Sequence, residues 1–147
     1  MTLYHHFASK DEVVLAALAA RRKPRQRGLS AAMDRATSPR AKILAAFDHL
    51  GELVREPGFR GCAFINAAVE LADREHPAVE LVREHKAWLR ACFAAVAERA
   101  GWRRPAVFGL QCLLLWDGAV LEEALSPGSG AVQAARAAVP ALIAASA

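Results

Sequence analysis

An all-α fold is predicted by three observations. Of 147 residues, 34 are alanine and few are threonine or tyrosine; alanine loses least and β-branched residues lose most on entering a helix. No stretch alternates apolar and polar residues as a half-buried strand does. Serine or proline stands at the start of several periodic apolar segments, where helix caps and first turns favour them.

Six helices follow in order. Ser9 and Glu12 form an S-x-x-E capping box, so the first helix begins after Ser9. Val13, Val14, Ala17 and Leu18 supply its apolar stripe. The run "RRKPRQRG" interrupts or kinks it at Pro24 and Gly28, with a second piece over Leu29 to Ala36. Ser38 caps the next helix, Pro39 opens it, and Ile43, Leu44, Phe47, Leu50 and Val54 form its stripe before Pro57-Gly58 stops it. A short helix is expected from Gly61 to about Asp73. "DREHP" then breaks the chain ahead of a longer helix, Pro77 to Ala100, ended by Gly101. Pro105 opens a fifth helix reaching about Leu125. After the turn "SPGSG" comes a last helix, Ala131 to Ala144, bent at Pro140.

The length suits one domain with a real core. Residues 1–9 have no apolar signal core, and the longest apolar run, Ala106 to Leu121, is interrupted by Gln111 and Asp117 and is short for a membrane span. Cys62, Cys92 and Cys112 are widely spaced and odd in number, so neither a disulfide framework nor a metal motif is indicated and a cytoplasmic setting is expected. The net charge of +4 is confined to residues 1–27, where Lys10, Arg21, Arg22, Lys23, Arg25 and Arg27 face only Asp11 and Glu12; the remainder is neutral. Such an end either meets a polyanion or complements a helix dipole.

Nearly every position from Ala106 to Leu121 is apolar, on all sides of a helix. Such a helix must be covered all round, and the rest of a small domain covers only part of it. Residues 105–145 are therefore expected to pair with a second copy of the chain in a four-helix interface.

The opening stretch "TLYHHFASKDEVVLAAL" resembles the end of the DNA-binding domain of the tetracycline-repressor (TetR) family of bacterial transcriptional regulators. There a recognition helix of pattern T-[LIV]-Y-x-[HY]-F precedes S-K-x-x-[LV] at the next helix start; Thr2, Leu3, Tyr4, His6, Phe7, Ser9, Lys10 and Val13 match. The match covers the first eighteen residues or so, and "GFRGCAFINAAVELADREHPA" is similar to the segment opening the ligand-binding half in part of the family. Leu3 and Phe7 lie four apart, so Phe7 can staple onto the capped helix. The resemblance implies that Thr2 and His5 reach base edges while Tyr4 and His6 donate to phosphates. Lys10 adds charge at a helix start that favours a phosphate. The singly weighed alternatives are packing for Tyr4 and idle solvation for the histidines. The first two helices of a helix-turn-helix are missing from the pattern, so a longer natural N-terminus is expected. A chain that truly begins at Met1 would dimerise yet bind its operator poorly.

Helical spacing supplies ligand-pocket candidates. Cys62, Asn66 and Glu70 share one face of the short helix; His85, Trp88 and Cys92 share another, and Phe108, Cys112 and Trp116 a third. Aromatics with a few inward polar groups suit a small-molecule pocket, though such stripes are more often ordinary core. The pocket set is Cys62, Asn66, Glu70, His85, Trp88, Cys112 and Trp116. No cofactor or metal motif is present, and no phosphate loop, nucleophile elbow or HExxH pair points to an enzyme.

These expectations combine into residues 1–24 as the end of a helix-turn-helix region and 25–147 as a ligand-binding and dimerisation domain. The expected function is a cytoplasmic, homodimeric DNA-binding regulator, a repressor by resemblance, that binds a double-stranded operator and a small-molecule effector. The alternative is a dimeric small-molecule-binding protein of the same fold that does not bind DNA.

Overall fold

The computed structural model describes residues 7–71, 73 and 75–147, and among them there are six helices and no strand. They are α1 Lys10–Asp34, α2 Pro39–Leu53, α3 Ala63–Glu70, α4 Pro77–Arg99, α5 Pro105–Leu125 and α6 Ala131–Ser146. The all-α expectation holds.

Local chemistry sets most helix boundaries. Ser9 caps α1, its hydroxyl accepting from the Glu12 amide at 3.2 Å, while the Glu12 carboxylate accepts from Ala8 N at 2.7 Å. Ser38 caps α2 through the Ala41 amide, and prolines open α2, α4 and α5, where a missing N–H costs nothing. Gly101, at φ +71°, ends α4: its amide meets the Glu98 carbonyl, and the Trp102 amide meets the Ala97 carbonyl, a Schellman motif. Trp102 then packs edge-on against Phe108. Glu123, although buried, lies below the ordinary carboxylate range. Burial alone would raise it, but the backbone amides of Gly128 and Ala131 bind its oxygens at 2.9 and 3.1 Å and lower it. This carboxylate ties the α5–α6 turn to the end of α5.

The expected break at Pro24 and Gly28 is absent: α1 runs uninterrupted for 25 residues with Pro24 inside it. Leu18, Leu29 and Met33 are buried on either side of the proline, so tertiary packing holds both halves in one helix against the local penalty. Gly28 has a packing reason, since a methyl there would stand 3.2 Å from the His49 ring. The short helix is also briefer than expected, ending at Glu70, whereas α6 runs on through Pro140 to Ser146.

The core lies between α4, α5, α2 and α6. Phe47, Phe93 and Trp116 form an aromatic cluster with ring centroids about 6 Å apart, at 6.1, 5.9 and 6.1 Å. Phe108 and Cys112 are fully buried beside them. Helices α4 and α5 approach closely at Gly109, where a methyl would stand 2.6 Å from the Arg90 carbonyl oxygen. A smaller cluster of Leu18, Phe64, Ala78 and Val82 joins α1, α3 and α4.

Helix α5 is long and apolar enough to cross a membrane by length and composition, but its Phe108, Cys112, Trp116 and Ala119 side is the centre of this core. Within one chain α5 is covered on that side only. Val107, Leu110, Leu114, Leu121 and Leu125 form an exposed ridge, with Leu114 63% and Leu125 72% exposed. Beside it α6 presents exposed Ala134, Ala137, Ala141 and Ala144.

Candidate ligand pocket

Five helices and one loop surround a cavity of about 110 Å³. Helix α1 contributes Arg21, Arg25 and Leu29; α2 contributes His49, Leu50 and Leu53. Phe59 and Cys62 come from the α2–α3 loop, Phe64 from α3, His85, Trp88 and Leu89 from α4, and Trp116 and Val120 from α5. Most of the wall is apolar or aromatic, as a small-molecule site requires.

Of the pocket residues expected from sequence, Cys62, His85, Trp88 and Trp116 meet here. Asn66 and Glu70 do not line it: both are exposed, and the Asn66 amide donates to the Arg60 carbonyl at 3.0 Å. Cys112 does not line it either. It is fully buried in the core, and burial pushes its thiol up to about 12. Burial likewise raises the Cys92 thiol to about 11, against a smaller opposing pull from Arg99. Both sulfurs are protonated at neutral pH and poor nucleophiles. Sequence reasoning missed Arg21, Arg25, His49 and Phe59, because nothing in helical spacing shows that α1, α2 and the loop after α2 face the same space.

His85 is the central polar group. Its ring stacks on Phe64 at 4.0 Å and on Trp88 at 6.0 Å, and it is 8% exposed. Burial pushes its pKa down to about 4, with smaller contributions from Lys86 and Arg22, so the imidazole is neutral at pH 7. Its buried Nδ1 has no hydrogen-bond partner, and neither has the buried Nε2 of His49. The other His49 nitrogen, Nδ1, faces Glu52 at 3.4 Å.

The depressed His85 pKa has a measurable consequence. The unfolded chain takes up this proton below about pH 6.5, the folded chain only below about pH 4. The His85 contribution to stability is therefore complete above pH 6.5 and falls as pH drops toward 4. After allowance for solvent screening, the loss is roughly 2 kcal/mol. Urea titrations at pH 7 and pH 4.5 should show His85→Phe losing less stability over that interval than the parent. Equal pH dependence would contradict this assignment.

The basic end of the chain is partly consumed by tertiary pairing. Arg22 meets Glu84 of α4 at 2.6 Å. Arg25 forms a two-point pair with Glu56, at 3.0 and 2.7 Å, binding α1 to the loop after α2. Glu56 is lowered mainly by this hydrogen bond, against burial. Asp11 sits 3.4 Å from His76, linking the starts of α1 and α4. Lys10, Arg21, Lys23 and Arg27 remain exposed. Lys10 is the first residue of α1; Thr2, Tyr4, His5 and His6 lie outside the described residues.

Solved structures share this arrangement. The chain superposes on a TetR-family transcriptional regulator from Streptomyces coelicolor with TM-score 0.88 and 25% identity, over 98% of this chain and 76% of that one. A TetR-type transcriptional regulator from Streptomyces avermitilis gives TM-score 0.71 and 29% identity, over 94% and 79%. The reduced form of Escherichia coli NemR gives TM-score 0.77 over 95% and 77%, and at 21% identity it speaks for the fold alone. No family model matches the chain, and no curated protein matches it.

Proposed function

We propose that this chain, which is similar in fold and sequence to TetR-family transcriptional regulators, is a cytoplasmic homodimeric repressor whose operator binding is modulated by a small molecule in the pocket among α1 to α5. In this reading residues 1–24 are the end of the DNA-reading region and residues 25–147 the sensing and dimerisation part. Thr2, Tyr4, His5, His6 and Lys10 meet the operator.

The observation that carries it is the continuity of α1. This helix begins at the Ser9 cap, directly after the aromatic run, and its Arg21, Arg25 and Leu29 form one wall of the pocket. A ligand that favours one tilt of α1 changes the spacing of two recognition helices across a dimer, and half-sites one turn apart fit only one spacing. The test is a binding titration on duplex DNA from the promoter region beside the gene, using protein expressed from its native reading frame. Affinity should fall steeply with salt as phosphate counterions are released. Salt-insensitive or absent binding would remove the DNA role. Ligand affinity must also differ between free and operator-bound dimers, because coupling is reciprocal.

The dimer rests on the exposed α5 ridge and the alanine face of α6. Leu110, Leu114, Leu121 and Leu125 follow coiled-coil-like spacing, suited to a helix-pair seam. Leu114→Glu with Leu121→Glu places charges in that seam, which costs more than about 3 kcal/mol per association. Sedimentation should show the parent as a dimer and the double variant as a folded monomer of 15.8 kDa. An unchanged dimer would move the interface elsewhere.

A further inference from the structure

We infer that the pocket takes a small aromatic anion, a single-ring carboxylate whose ring lies among Leu29, Leu50, Trp88 and Trp116 and whose charge faces Arg21. The inference rests on the pocket reading above and adds the class of ligand.

Three observations converge on that class. The first is size: a cavity of about 110 Å³ is of the order that accepts one aromatic ring. The second is charge. Among the described residues, two arginines and no carboxylate line the pocket. The nearby acids are turned to other partners: Glu56 to Arg25, Glu84 to Arg22, and Glu52 toward His49 Nδ1. Arg25 is thereby neutralised, but no carboxylate pairs with Arg21 among the described residues. A cation entering this space would meet only like charge, whereas an anion meets a free guanidinium, whose fork suits a carboxylate. The third is hydrogen bonding. His85 lies in the wall more than nine-tenths buried, with Nδ1 unpartnered. A buried polar atom of this kind is costly unless something supplies a partner. A neutral imidazole with its proton on Nδ1 donates one hydrogen bond, which a carboxylate oxygen accepts. A purely apolar ligand leaves that nitrogen without a partner.

The closing experiment uses two lining indoles as reporters. Trp88 and Trp116 face the cavity, while Trp102 packs against Phe108 and does not line it. The full-length protein is titrated with benzoate, benzamide and toluene at fixed ionic strength, following tryptophan fluorescence. Benzoate should quench and bind at least about tenfold more tightly than benzamide, the difference expected of a charge-assisted contact. Arg21 is exposed, so Arg21→Gln should fold normally by circular dichroism. That variant should lose about tenfold in benzoate affinity with benzamide binding unchanged. Equal binding of benzoate and benzamide, or an unchanged ratio in Arg21→Gln, overturns the anion assignment while the pocket itself stands through its toluene binding. Silence from all three compounds overturns the pocket reading and this inference together.

Discussion

Phe93→Ala is expected to lower the free energy of unfolding by about 3–5 kcal/mol, the range for removing a fully buried phenylalanine. Phe93 has no solvent exposure and stacks on Phe47 at 6.1 Å, with Trp116 at the same distance. Its removal takes away both the buried ring and two aromatic contacts. The backbones around it belong to tightly packed helices, so the space cannot collapse fully. Native domains hold only about 5–15 kcal/mol in total, and the variant should sit near the edge of folding. Urea unfolding at fixed protein concentration, followed by far-ultraviolet circular dichroism, measures the change. A loss below about 1 kcal/mol would mean that the cluster around Phe47 and Trp116 is looser than described. Because Trp116 also lines the candidate pocket, the space opened by the mutation would adjoin it.

Gly109→Val is the second large effect, expected at about 3 kcal/mol or more. Here the cause is crowding. The first carbon added at this position would stand 2.6 Å from the Arg90 carbonyl oxygen, 3.0 Å from Ala94 Cβ and 3.1 Å from the Ala94 amide nitrogen. Two of these three neighbours are backbone atoms and cannot rotate away, so α4 and α5 must separate. That separation disturbs the Phe93–Trp116 contact between the same two helices. Gly118 on the same helix is the control, since nothing stands within 4 Å of an added Cβ there. Gly118→Ala should be neutral or slightly stabilising within the monomer, by up to about 1 kcal/mol. Comparable losses at the two positions would refute the close-approach account.

Helix positions were legible because they are encoded locally. Ser9 and Ser38 act on amides three residues away, and Pro39, Pro77 and Pro105 need only their own rings. Pro24 misled for the complementary reason. Its local signal says break, yet the burial of Leu29 and Met33 against the rest of the molecule keeps α1 whole. The pocket was legible only in part. His85 and Trp88 share one face of α4, a relation that spacing reveals, and both line the cavity. Asn66 and Glu70 share spacing with Cys62, but α3 begins only at Ala63, and the Asn66 side chain turns back to the Arg60 carbonyl. Cys112 shares its face with Trp116 yet lies fully buried in the core and does not line the pocket. Arg21 and His49 were invisible as pocket residues, because only the packing of α1 across α2 and α4 brings them to one space. The exposed leucines of α5 were legible as apolar but not as one-sided.

The unbroken course of α1 also has a mechanical meaning. At 25 residues the rod is about 37 Å long, with about 24 Å between Arg25 and its Ser9 end. Pivoted at the pocket wall, a lean of only about 5° would carry the far tip roughly 2 Å sideways, and in the proposed dimer two such levers would add their strokes. A jointed strut would absorb that displacement at the elbow, whereas this beam delivers it undiminished.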